Sequence, residues 1–217
     1  MTTIAIIGSN ISEEDLLHQL KDSWEVWSVN NLYLGYPNVN FTRWFELHAF
    51  KRVKNIYTRR GVDIYSQKRV IDYMKEINNL DIPVMMQKKW SVIKKSEKFP
   101  FKEIRKRYGD YFGCSFAWLI AYALTLKKID EIRFYGIGLT GYEYFYQRPS
   151  TERMLGIAEG RGIGIYIDPT STLLKEPYIY AIKEDYEVID FLHVSFMRDI
   201  NTSIVGAISR YFVDRMT

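Results

Sequence analysis

Thr3 to Ile7 (TIAII) is an apolar run with no alternation, and it stops at Gly8-Ser9-Asn10 just before the amphipathic stretch SEEDLLHQL. A strand with one face in water alternates apolar and polar residues. A strand that is apolar throughout fits a parallel sheet covered on both faces. The small residues that follow, with Ser12 placed to cap a helix, complete a strand, a tight turn and a helix start. This unit implies an α/β architecture with helices on either side of a sheet. At 217 residues, 47% hydrophobic and 16% aromatic, the chain can bury a full core in one domain.

The rest of the chain repeats that alternation. Glu25–Val29 reads as a second strand ending in Asn30-Asn31, Phe41–Leu47 as a third, and Val84–Gln87, after Pro83, as a fourth. Between the third and fourth, Lys51–Asn79 reads as helical in two pieces broken near Gly61, with Ile64, Val70, Ile71, Met74 and Ile77 on the apolar side of the second. Lys88–Lys106 reads as an irregular basic segment interrupted by aromatic residues. Phe116–Leu126 is almost wholly apolar and reads as a buried helix. A fifth strand, Glu131–Ile137, leads into a helix opened by Pro149 and stopped by Gly160 and Gly162, and Ile163–Ile167 is the last strand. The expectation is a mainly parallel sheet of about six strands. From Glu184 onward the apolar spacing describes a C-terminal helical pair separated near Asn201, which suggests a division into 1–180 and 181–217. The pair is a candidate for packing or for homo-oligomer formation.

The formal charge of +4 hides an uneven distribution. Segment 51–107 holds 17 of the 30 Lys and Arg against 6 of the 26 Asp and Glu, a local balance of +11, and the remainder stands at −7. Such a face attracts polyanions, so nucleic acid is a candidate partner through segment 51–107; solvated helix faces are the plainer account. One cysteine, Cys114, permits no internal disulfide and no multi-cysteine zinc site. The three histidines are too scattered to suggest a metal centre. With no long apolar window, the expectation is a soluble, cytoplasmic protein that spans no membrane.

Candidate ligand groups gather where strands end. The turn Gly8-Ser9-Asn10 exposes backbone N–H groups at a helix start, a place for a phosphate or ribose, although an ordinary βα turn has the same residues. Asn30 and Asn31 carry both donor and acceptor and are suited to reading a nucleoside. Ser115 opens the buried helix and offers a second anion site. On the third strand Glu46 shares a face with His48, and a carboxylate orienting an imidazole serves general acid/base chemistry; a hydrogen-bonded strand end is the alternative. After the fifth strand, Gly136 allows a sharp exit, Glu143, Tyr144, Gln147 and Arg148 cluster just before Pro149, and Glu152 lies on the helix that follows. His48 or Glu143 is placed to act as base and Arg43 or Arg148 to stabilise a leaving phosphate. Glu46, Gln147 and Glu152 are candidates for contact with an acceptor.

The pieces IIGSN, EVWSVNNLYL, YFGCSFAWLIAYALTLKKIDEIRFYGIGL and YEYFYQ together resemble the small bacterial sialyltransferases. The resemblance implies a Rossmann-like three-layer fold and a nucleotide-sugar donor, a cytidine nucleotide in that family, with no Mg²⁺ required. It places Gly8, Asn10, Asn30, Ser115, Gly136, Tyr142 and Tyr144 around the nucleotide. The chain departs from that family in lacking a histidine before the small-residue turn and in having Gly138 where an aspartate is expected. The outline also looks like pterin pyrophosphokinase-type proteins. FTRWFELH with EYFYQRPSTERMLGIAEGRGI is similar to uncharacterised phage-encoded proteins, which implies a host-cytoplasm setting and modification of DNA or nucleotides. Three functions follow as expectations: a glycosyltransferase-like enzyme, a metal-dependent nucleotide pyrophosphokinase or hydrolase, and a non-catalytic nucleotide- or nucleic-acid-binding protein.

Overall fold

In the computed structural model, which describes residues 2–53, 56–59, 67–139 and 146–175, the first apolar run is β1 (Thr3–Ile7), buried along its whole length. It is followed by α1 (Glu13–Gln19), β2 (Glu25–Val29), a 3-10 turn (Leu32–Gly35) and β3 (Arg43–Glu46). Next come β4 (Phe50–Val53), β5 (Ile56–Arg59), α2 (Gln67–Asn79), β6 (Val84–Met86) and β7 (Ser96–Lys98). The described chain continues through α3 (Phe101–Tyr108), α4 (Ser115–Ala123), β8 (Glu131–Tyr135), α5 (Arg148–Glu159) and β9 (Gly164–Ile167).

Seven of the described strands form one sheet in the order β7-β6-β3-β2-β1-β8-β9, and every pairing in it is parallel. The architecture is the α/β, Rossmann-like arrangement that the sequence implies, with one strand more than the six expected. Because successive strand residues point to opposite faces, Ile4 and Ile6 join one core and Ala5 and Ile7 the other. The first core packs α3, α4 and α5 against the sheet, and the second packs α1 and α2. The chain begins in the middle at β1, builds outward to β7, and returns to β1's other side with β8. Between β1 and β8 the order reverses, and that reversal opens the crevice at the carboxyl ends of the strands.

Two segments depart from the sequence-based reading. Phe50–Val53 and Ile56–Arg59 form an antiparallel ribbon, Phe50 pairing with Arg59 and Val53 with Ile56, where a helix was expected, and the break near Gly61 lies outside the described residues. Val53, Ile56, Tyr57 and Thr58 are β-branched or aromatic and favour extended backbone, which outweighs the weak helical spacing of KRVKNIYTRR. Lys88–Lys106 is more regular than expected. It supplies the sheet-edge strand β7, registered with Val84 opposite Ser96, and the helix α3. A three-residue polar strand has no period to detect, and α3 buries only Ile104 and Tyr108 within its span. Charged residues at such an edge also keep it from pairing with other chains. No helix among the described residues is long and apolar enough to cross a membrane. The helical pair beyond Glu184 and the division near residue 180 lie outside the described residues.

Candidate functional site

A cavity of about 480 Å³ lies at the topological switch point. Its described lining comes from the ends of β1 (Gly8, Ser9, Asn10), β2 (Asn30, Asn31), β3 (His48) and β8 (Gly136 to Leu139), with Gly113 to Phe116 and Gln147 at two helix starts. Nine predicted residues therefore meet in one place: Gly8, Ser9, Asn10, Asn30, Asn31, His48, Ser115, Gly136 and Gln147. Sequence reasoning missed the apolar contribution of Leu32, Phe116, Ile137 and Leu139, because apolar residues beside strands and in a helix read as core.

The floor is built by two glycines in contact with each other's loops. A Cβ on Gly8 would stand 2.4 Å from the Gly136 carbonyl, and one on Gly136 would stand 2.9 Å from the Asn10 nitrogen. Gly136 has φ of 63°, a conformation that favours glycine. Gly8 N–H donates to Tyr135 O (2.8 Å) and Asn10 N–H to Gly136 O (2.9 Å). The close approach that requires Gly8 is thus to the β8 loop, not to a ligand. The adjoining start of α1 is also engaged. Ser12 Oγ caps Asp15 N–H at 3.1 Å, Glu13, Glu14 and Asp15 fill the first turn, and Glu13 accepts from Asn38 N–H at 2.6 Å. Three carboxylates at a helix start disfavour a phosphate there.

The start of α4 is different. Cys114 at its N-cap makes no side-chain capping bond, the first turn holds no acidic residue, and Gly113 to Phe116 face the cavity. The loop is braced from outside by α5: Gly113 N–H donates to Ser150 Oγ (2.9 Å), and Cys114 Sγ lies 3.1 Å from Thr151 Oγ1. Across the cavity Asn30 sits at the end of β2 with φ of 57°, fixed by its N–H to Phe45 O (3.1 Å) and by Trp44 Nε1–H to its own carbonyl (3.0 Å). Its side-chain Oδ1 is buried and accepts no hydrogen bond among the described residues. A buried, unsatisfied acceptor costs stability unless a ligand donor meets it.

His48 and Glu46 form the pair that their spacing on β3 suggests. Glu46 is fully buried, and its Oε1 lies 2.7 Å from His48 Nδ1 and 3.1 Å from His48 N. Its Oε2 accepts from the Tyr73 hydroxyl on α2. The carboxylate is occupied in orienting the imidazole and does not reach an acceptor. With Nδ1–H held by Glu46, the basic lone pair of the neutral ring is on Nε2. His48 also lines a second cavity of about 250 Å³, with Leu47, Gln87, Phe101, Phe112 and Trp118, so the imidazole stands at a shared wall.

The other candidates fall elsewhere. Arg43 begins β3, at the end of the strand opposite Glu46, where its Nη1 is 3.7 Å from Glu97 and its guanidinium lies over Tyr122. It does not line the cavity; three residues of strand, roughly 10 Å, separate the two ends. Arg148 Nε donates to Glu152 Oε1 (2.7 Å), which also accepts from Leu174 N–H (2.9 Å), so this pair ties the α5 start to the segment after β9. Tyr142, Glu143 and Tyr144 lie outside the described residues. The described cavity lining carries no Lys, Arg, Asp or Glu, and among the described residues no group of three His, Cys, Asp or Glu side chains is placed to hold a metal ion. No protein-family model, curated protein or solved structure matches the chain.

Proposed function

We propose that this chain is a transferase that uses a nucleotide-sugar donor, with His48 as general base. The observation that carries this reading is the Glu46–His48 pair, 2.7 Å apart, with His48 at the wall of a switch-point cavity that Asn30 also lines. The nucleoside lies beside Asn30, and the donor's phosphate rests on the open N-terminus of α4 at Ser115 and Phe116. His48 Nε2 takes the proton of an acceptor hydroxyl as that oxygen bonds to the sugar's anomeric carbon. The bond from that carbon to the phosphate oxygen breaks, and its electron pair leaves with the nucleotide. Helix-end N–H groups then stabilise the departing charge without a cation from the described lining. A metal-dependent pyrophosphokinase would want carboxylates at the phosphates, and the described lining supplies none.

The test is chromatographic detection of nucleotide released from a panel of nucleotide-sugars by the full chain. His48→Gln is expected to lower release by about 10²- to 10⁴-fold, the usual worth of a positioned base. Unchanged release in His48→Gln removes the histidine from the mechanism, and failure of every nucleotide-sugar to bind removes the donor site.

A further inference from the structure

The geometry points to the second cavity as the acceptor subsite, and to the acceptor as a nucleotide unit of single-stranded nucleic acid. The word acceptor rests on the transfer reading above; strand binding does not. Three half-buried rings build the wall of this cavity. Phe112 stacks on Trp118 with centroids 3.8 Å apart and planes 11° from parallel, and Phe101 meets Trp118 edge-on at 4.9 Å. Phe101 begins α3, Phe112 lies in the loop before α4 and Trp118 is on α4, so three sequence segments converge on one aromatic surface. Such a surface takes a flat ring, and His48, which lines the same cavity, brings the base to a hydroxyl that ring carries.

A carbohydrate would also lie on aromatic rings, but the surroundings favour a polyanion. Residues 88–107 include nine Lys and Arg against two Glu. Lys102 directly follows Phe101 and Lys88 directly follows Gln87, so two exposed cations stand one residue from the cavity lining in sequence, with the Lys88 ammonium over the Trp90 ring at 4.2 Å. Neither they nor exposed Lys98 and Lys106 form a salt bridge with a carboxylate among the described residues. Aromatic platforms beside a cationic rim hold single strands by stacking and phosphate contact. A duplex keeps its bases in the stack, out of reach of a cavity, and so fits less well.

The experiment is fluorescence anisotropy of a labelled single strand of roughly 16 nucleotides, at the upper end of known site sizes, with the same sequence as a duplex for comparison. The single strand is expected to bind more tightly than the duplex. Phe112→Ala is expected to weaken strand binding by roughly 5- to 150-fold, with affinity for cytidine monophosphate as the control for an intact first cavity. Lys88→Ala with Lys102→Ala is expected to reduce the slope of log affinity against log salt by about 1.4, or about 0.7 per lysine. Equal binding of duplex and single strand, or no effect of Phe112→Ala on strand affinity, overturns the subsite. An equal loss of strand and cytidine monophosphate affinity does so too. Because the anisotropy assay contains no donor, it reads strand binding apart from turnover: strand binding without nucleotide release in the donor assay defeats the transferase alone. Transfer to a free hydroxyl compound without strand binding defeats this inference alone.

Discussion

Two helix starts adjoin the switch-point crevice, and they are built in opposite ways. At α1, Ser12 caps the helix, three carboxylates crowd the first turn and Tyr36 ties the preceding loop, its hydroxyl 2.7 Å from Gly8 O and 3.0 Å from Ile11 O. At α4, neither a capping bond nor an acidic first-turn residue meets the exposed N–H groups. The same helix-dipole physics therefore gives a self-satisfied brace on one side and an anion end on the other. A strand-turn-helix unit is not in itself a phosphate site; the side chains at the helix start decide.

The largest effect that would sharpen this contrast is on stability at the brace. Gly136→Ala adds a Cβ within 2.9 Å of two backbone nitrogens at a positive φ, and is expected to cost about 1–3 kcal/mol from overpacking alone, measured as a lower urea midpoint. A neutral result would show that the β1 and β8 loops do not depend on each other. At α4, Ser115→Asp is expected to weaken cytidine monophosphate binding about tenfold while raising stability by about 0.3–1 kcal/mol, because the new carboxylate takes the ligand's place at the helix end. If affinity and stability fall together, the α4 start is not an anion site. The smallest expected effect is that of Tyr36→Phe, about 1 kcal/mol for the lost hydrogen bond, with nucleotide affinity unchanged.

Tyr36 also has a signature in pH. Burial, the largest cause, pushes its phenol above the ordinary range, with a backbone hydrogen bond at Ile11 acting against that and Glu13 adding to it. The fold thus favours the neutral phenol. Its contribution is fully present below the unfolded pKa, about 10, and is lost as pH rises through the folded value. Unfolding titrations should show a shallower alkaline loss of stability in Tyr36→Phe than in the parent chain.

Much of the architecture was legible because its signals are local. The unbroken apolar run of β1, the Ser12 cap of α1 and Pro149 near the start of α5 each act within a few residues, and each stands where the sequence put it. The β4–β5 ribbon was less legible: its β-branched and aromatic residues favour extended backbone over a weak helical spacing, but the two strands are fixed only by pairing with each other. The same holds for β7, whose three polar residues become a strand only because β6 offers an open edge. Within the site, the orientation of His48 by Glu46 followed from two-residue spacing, since alternate residues of a strand share a face. The separation of Arg43 from the cavity could have been inferred from its place at the start of β3.

The sequence by itself determined that the chain forms a parallel α/β sheet with polar turns at its strand ends, because hydrophobic period and capping are properties of consecutive residues. Only the tertiary structure decided which turns meet. Strand order brings β8 beside β1, and that adjacency makes Gly8 and Gly136 mutual braces. The packing also sets Phe101, Phe112 and Trp118 around one cavity with His48. Contacts between residues far apart in the chain depend on register and packing, which no local pattern encodes.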